Sequence, residues 1–207
     1  MSFLKTSTSF TRFVISGEVP AELWGEIPDK LRQFAIKDID DLPEERAWGW
    51  VAFEDMLDTE WAGAPPQKGG EYLAFALRLD TRRVPPAVIK KHFSLALKKE
   101  EEQIRSQGKT FVSRERKKEI KEIVLLQLRK RFLPIPAEFQ VVWNTSSGVV
   151  WFASTQGKMI ELFQDFFTIS FGLTLEQLSP YGLAATMLDE NGIEKLNNLE
   201  ATDFYRV

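Results

Sequence analysis

The sequence predicts an α+β fold in which long helices pack on a mainly antiparallel sheet. Strand and helix patterns follow one another in the order strand, helix, strand, two helices, hairpin, helix. The 207 residues are 43% apolar and 12% aromatic, so the chain can bury a substantial core. We expect a single α+β domain over residues 1–183 and a loosely docked C-terminal tail over residues 184–207.

The first elements lead to a central strand. Residues 10–16 are β-branched and aromatic, which predicts a strand, and a helix follows Pro20. Residues 71–79 alternate as a strand does, and both of their faces are largely apolar. This strand should therefore lie inside the sheet.

Two charged helices occupy the middle of the chain. Pro85 and Pro86 open the first, since proline is acceptable in a first helical turn. Ser113 is a suitable N-cap for the second, which should end near Phe132, before Pro134. On the first helix the spacing predicts one buried stripe, formed by Ile89, Phe93, Ala96, Leu97 and Ile104. On the second it places Ile120, Ile123 and Val124 in the core.

The last predicted elements are a hairpin and an apolar helix. Residues 139–143 and 149–153 read as strands around a polar turn that ends at Gly148. A strongly apolar helix over residues 159–169 should end near Gly172, and Trp143 and Trp151 should pack against it.

Charge is strongly segregated along the chain. Residues 78–131 contain 17 Lys or Arg against 7 Asp or Glu, while the remainder has 10 basic against 23 acidic residues. The net charge of −3 conceals this split. Clustered cations gain free energy from counterion release on nucleic acid, which makes an anionic polymer the first partner to consider.

The basic side chains fall on defined helical faces. On the second helix four of them lie within about 80° of one another, so they could follow a phosphate backbone without reading bases. The predicted DNA contacts are Lys91, Lys98 and Arg105 on the first helix and Arg114, Lys118, Lys121 and Arg129 on the second. The alternative is an ordinary solvated surface, since glutamates on the same helices can pair with these cations.

Enzymatic chemistry finds little support in the sequence. His92 is the one histidine and has no triad partners, and the glycines match neither a phosphate loop nor a dinucleotide fingerprint. An acidic segment with Asp38, Asp40 and Asp41 leaves open a Mg²⁺-dependent exonuclease. We expect no catalytic residue, no metal and no cofactor.

The sequence favours a cytoplasmic, soluble protein. It contains no cysteine, no signal-peptide pattern at the start and no apolar run of membrane-spanning length. We therefore expect no membrane partner.

Several segments together resemble the bacterial recombination-associated protein RdgC family. The resemblance spans roughly residues 10–180. It rests on Trp48-Gly49-Trp50-Val51, the strand of residues 72–79 followed by residues 86–90, Lys98-Lys99-Glu100, Lys117-Lys118-Glu119, and the hairpin around Trp143 and Gly148.

The resemblance implies a non-specific DNA-binding protein of the nucleoid, a homodimer that restrains RecA-dependent strand exchange. Some family members are labelled exonucleases. Family members are usually longer, so we expect the C-terminal part that helps to close their ring around DNA to be missing here. A third interpretation is a protein-interaction module whose apolar last helix and tail bind a partner.

Overall fold

The computed structural model describes residue 3 and residues 8–106 and 111–200, apart from the side chain of Thr186. In these residues six helices accompany a seven-stranded antiparallel sheet, which confirms the α+β class. The strands are β1 Thr11–Ser16, β2 Arg46–Ala52, β3 Gln67–Lys68, β4 Tyr72–Thr81, β5 Ile135–Asn144, β6 Val149–Phe152 and β7 Thr174–Gln177. The helices are α1 Leu23–Gln33, α2 Pro86–Ser106, α3 Arg114–Arg129, α4 Gly157–Phe171, α5 Pro180–Met187 and α6 Glu190–Asn197.

The chain divides into two compact units. The first comprises residues 1–30, 66–74 and 140–207, and the second comprises residues 31–65 and 75–139. Strands β4 and β5 contribute residues to both units. The predicted domain boundary at residue 183 falls within α5 and stays a prediction.

The first unit has an aromatic core between its strands and α4. Strand β1 pairs with both β6 and β7, and β6 also pairs with β5, which confirms the predicted hairpin. The rings of Phe152 and Phe163 stack with centroids 4.2 Å apart, and Phe13 lies 5.5 Å from Phe163. Trp143 is completely buried, as predicted, and Trp151 is half-buried.

The segment after β7 contains two short helices. The side chain of Ser179 caps α5 and that of Asp189 caps α6, each by accepting a backbone N–H bond in the first turn. Residues 181–200 are exposed or half-buried wherever their burial is described. The last seven predicted tail residues, 201–207, lie outside the described part of the chain.

In the second unit β4 lies between β2 and β5, so the prediction of a central strand is confirmed. The opposite edge of β2 is covered by the residues that follow α1. The backbone N–H of Ile36 donates to the Trp50 carbonyl at 3.2 Å, and the N–H of Trp50 donates to the Phe34 carbonyl at 3.0 Å. This cover shields the edge of β2 at Trp50 from pairing with another chain.

Helices α2 and α3 form a hairpin around an apolar cluster of the second unit. Its fully buried members are Val112, Ile120, Val124 and Leu128. All five residues of the predicted stripe on α2 pack against this cluster, but they are half-buried, and no residue of α2 is buried as the sequence predicts. The prediction for Ile123 is wrong, since it is 47% exposed. The buried face of α3 follows the i, i+4 row of Ile120, Val124 and Leu128, and Ile123 lies off that row.

The ends of the hairpin helices largely agree with prediction. The Ser113 hydroxyl accepts a bond from the Arg116 N–H at 3.1 Å, which confirms the N-cap of α3. Helix α3 ends at Arg129, three residues before the predicted end, and Lys130 is its C-cap. Gly108, which stands between the two helices in the sequence and is a candidate helix break, lies outside the described residues. Among the described helices, none combines the length and the apolar character that crossing a membrane requires.

Candidate nucleic-acid interface

The basic helices present two long faces away from their shared apolar core. At 1.5 Å per residue, the 21 residues of α2 extend about 31 Å and the 16 residues of α3 about 24 Å. The apolar stripes hold the two helices together, and the regular geometry of each helix gives the cations on its other faces fixed spacings.

Six of the seven predicted DNA contacts are exposed side chains. On α2 these are Lys91, Lys98 and Arg105, and on α3 they are Arg114, Lys118 and Lys121. The α3 set lies within about 60° of the helix circumference and the α2 set within about 40°, at 100° per residue. Each set therefore forms one solvent-facing row.

Arg129 differs from the other six. Its side chain is 22% exposed, and its guanidinium donates a hydrogen bond to the carboxylate of Glu45. A phosphate could reach this guanidinium only by competing with Glu45. The α3 row that is open to solvent thus ends at Lys121.

A second arginine of the same helix links α2 to α3. Arg116 donates to Glu100 on α2 at 2.7 Å and to Glu119 on α3 at 3.0 Å. The hydrogen bond from Arg116 lowers the pKa of Glu100 below its usual value. Arg116 therefore joins α2 to α3. No local pattern predicts the pair of Arg116 and Glu100, because the two residues are 16 positions apart.

Lys118 has a much looser partner. Its ammonium lies 4.0 Å from the Glu122 carboxylate, and both side chains are mostly exposed. Such i, i+4 pairs contribute about 0.3–0.5 kcal/mol. Glu122 consequently leaves Lys118 available to an external anion.

One buried arginine binds the backbone carbonyls of the acidic segment. The buried Arg82 guanidinium donates to the carbonyls of Ile39 at 2.8 Å and Asp40 at 3.0 Å, and also to those of Leu42 and Glu44. The Asp38 carboxylate is used locally, accepting the Asp40 N–H at 2.7 Å. Over the described ranges no three His, Cys, Asp or Glu side chains are grouped to hold a metal ion.

Sequence reasoning missed an arginine-lined pocket of about 580 Å³. It lies in the second unit, where the end of β4 meets the start of α2 and the end of α3. Four arginines line it together with one glutamate: Arg46, Arg82, Arg83, Arg129 and Glu45. Adjacent Arg82 and Arg83 were visible in the sequence, but nothing local connected them with Arg46 or Arg129.

No known protein-family model matches this sequence, and no curated protein is significantly similar to it.

Proposed function

We propose that this protein binds DNA without sequence preference through the exposed cations of the α2–α3 hairpin. The observation that carries the proposal is the pair of solvent-facing rows, Lys91, Lys98 and Arg105 on one helix and Arg114, Lys118 and Lys121 on the other. Duplex DNA carries one negative charge per about 1.7 Å of axis, so rows of this length can meet several phosphates.

The chemistry of these rows suits positioning on a backbone. Flexible lysines and exposed arginines bind phosphates from many directions, and such contacts carry no sequence information. No cofactor takes part in this proposal. In the cell, a protein that coats DNA in this way would associate with the nucleoid and restrain RecA-type strand exchange, as the resemblance to the RdgC family implies.

Salt dependence tests the proposal directly. We expect unrelated duplexes of equal length to bind with similar affinity, because the contacts are phosphates. The logarithm of affinity should fall with that of salt concentration by about 0.9 per phosphate contacted. A fluorescence-anisotropy titration at about 50 and 200 mM salt, within the range over which such contacts lose affinity, measures the slope.

The same titration contains the result that would overturn the proposal. A strong preference for one sequence would show that bases are read. Undetectable binding at the lower salt concentration would instead favour a protein-interaction module with a solvated basic surface.

We also propose that the chain is a homodimer. Large apolar side chains remain exposed along the second half of α3 and beyond it: Ile123, Leu126, Leu133 and Ile135 are 46–73% exposed. Apolar surface of this kind favours association, and two-fold dimers are the commonest result. Light scattering at tens of micromolar protein should give twice the 23.8 kDa chain mass, and a monomeric mass would refute the dimer.

A further inference from the structure

Arg82 places an unneutralised positive charge at the arginine-lined pocket. It is 2% exposed, and its four terminal N–H groups point to the carbonyls of residues 39, 40, 42 and 44. Within the described part of the chain no carboxylate lies at ion-pair distance from it, and its Nε–H is buried without a partner. Carbonyl dipoles stabilise the guanidinium but leave its formal charge in place.

The other components of the pocket add to this positive potential. Arg46 and Arg83 are exposed at its rim, and Arg129 lines its wall. The first residue of α2, Pro86, also lines the pocket, and the first turn of that helix contains no acidic residue. The positive end of the helix dipole is therefore uncompensated here.

The Glu45 carboxylate occupies the Arg129 guanidinium, to which an external anion would otherwise bind. This carboxylate accepts a hydrogen bond from the Arg129 guanidinium, and the backbone carbonyl of Glu45 accepts one from the backbone N–H of Arg82 at 2.8 Å. Arg82 thus fixes the segment that carries Glu45, and Glu45 in turn occupies Arg129. One carboxylate among four arginines leaves the pocket with excess positive charge.

We infer that this pocket binds a phosphate group, and that Glu45 competes with it for Arg129. The inference rests on the proposed function in one respect: the phosphate belongs to DNA that lies along the exposed cation rows of α2 and α3. A phosphate bound by Arg46, Arg83 and a released Arg129 gains several charge-assisted hydrogen bonds, which arginine forms well with phosphate oxygens. The pocket then anchors the end of the bound DNA segment.

Pyrophosphate is the probe for the pocket alone. Calorimetric titration of the full chain at constant ionic strength, adjusted with sodium chloride, should show saturable uptake by the wild type. Glu45→Gln should raise the affinity for pyrophosphate about two- to five-fold, which corresponds to the loss of one partly exposed ion pair. Arg83→Gln should lower the affinity for pyrophosphate about ten-fold, because one charge-assisted hydrogen bond to the phosphate is lost. Arg82 and the segment of residues 39–44 that it binds are unchanged in this variant.

Two matched controls remove the same charges elsewhere. Glu18→Gln changes an exposed glutamate of the first unit, and Arg12→Gln changes an exposed arginine of β1 in the same unit. Both should leave pyrophosphate affinity unchanged. Circular dichroism verifies that every variant is folded.

The outcomes separate the pocket from the proposed function. Pyrophosphate should also displace DNA more strongly than sodium chloride does at equal ionic strength. The inference of a phosphate site would be wrong, even if DNA binds, if neither the wild type nor Glu45→Gln bound pyrophosphate. It would also be wrong if Arg83→Gln and Arg12→Gln lost pyrophosphate affinity equally. Uptake of pyrophosphate without any DNA binding would overturn the proposed DNA function and show that the pocket serves a small phosphate.

Discussion

A variant with Arg114, Lys118 and Lys121 all changed to Glu should remain folded and lose nearly all DNA binding. The three side chains form the solvent-facing row of α3, and the buried row of Ile120, Val124 and Leu128 is untouched. Glutamate is about as good a helix former as lysine, and a glutamate at position 114 suits the positive end of the helix. Phosphate attraction would be replaced by repulsion.

We expect both the DNA affinity and its salt dependence to fall. Each lost phosphate contact removes about 0.9 from the salt slope, so the slope should fall by about 3. Affinity at about 100 mM salt should fall at least a hundred-fold, since three contacts are not only lost but reversed. Arg129 is left unchanged because its pairing with Glu45 would confuse the result.

The control carries the same change in net charge. Arg12, Lys158 and Lys195 are exposed in the first unit, and their triple change to Glu also alters the charge by six. If DNA is bound by the cation rows of α2 and α3, this control should lose only a small, non-specific part of its affinity. Equal losses in the two triple variants would mean that net charge matters and that the α3 row is not the contact surface.

Elements governed by local signals were predictable from the sequence. The N-cap of α3 and the apolar rows of α2 and α3 use neighbours within four residues, and the position of Ser113 alone predicted its capping role. Gly172 ended α4 as expected because it adopts a positive φ of 72°, which favours glycine. The exposure of six predicted cations followed from the same helical periodicity.

Elements that depend on distant partners were missed. Strand β7 has only four residues, and its pairing with β1 depends on a contact some 160 positions away in the chain. Helices α5 and α6 are short, and none of their residues whose burial is described is buried, so no apolar stripe marks them in the sequence. The Arg82 contacts and the Glu45–Arg129 pair join segments about 40 and 84 residues apart, and no local pattern marks such contacts.

The tight approach at Gly49 is another distant contact, and it carries the largest expected stability effect. A Cβ built at this position would lie 2.2 Å from the backbone nitrogen of Ile36 and 2.6 Å from the carbonyl carbon of Ala35. These atoms belong to the segment that hydrogen-bonds along the edge of β2. Backbone in that position has no rotamer that could relieve the clash.

Gly49→Ala should therefore lower the free energy of unfolding by about 3 kcal/mol, the upper part of the range for overpacking. The matched control is Gly25→Ala in α1, where the added methyl meets no atom within 4 Å and φ is not positive. That change should raise stability by about 0.5–1 kcal/mol, because alanine favours the helix and restricts the unfolded chain. Urea unfolding followed by circular dichroism measures both. If Gly49→Ala were as stable as the wild type, the segment at Ile36 would not lie against β2 in solution, and the glycine between Trp48 and Trp50 would need another explanation.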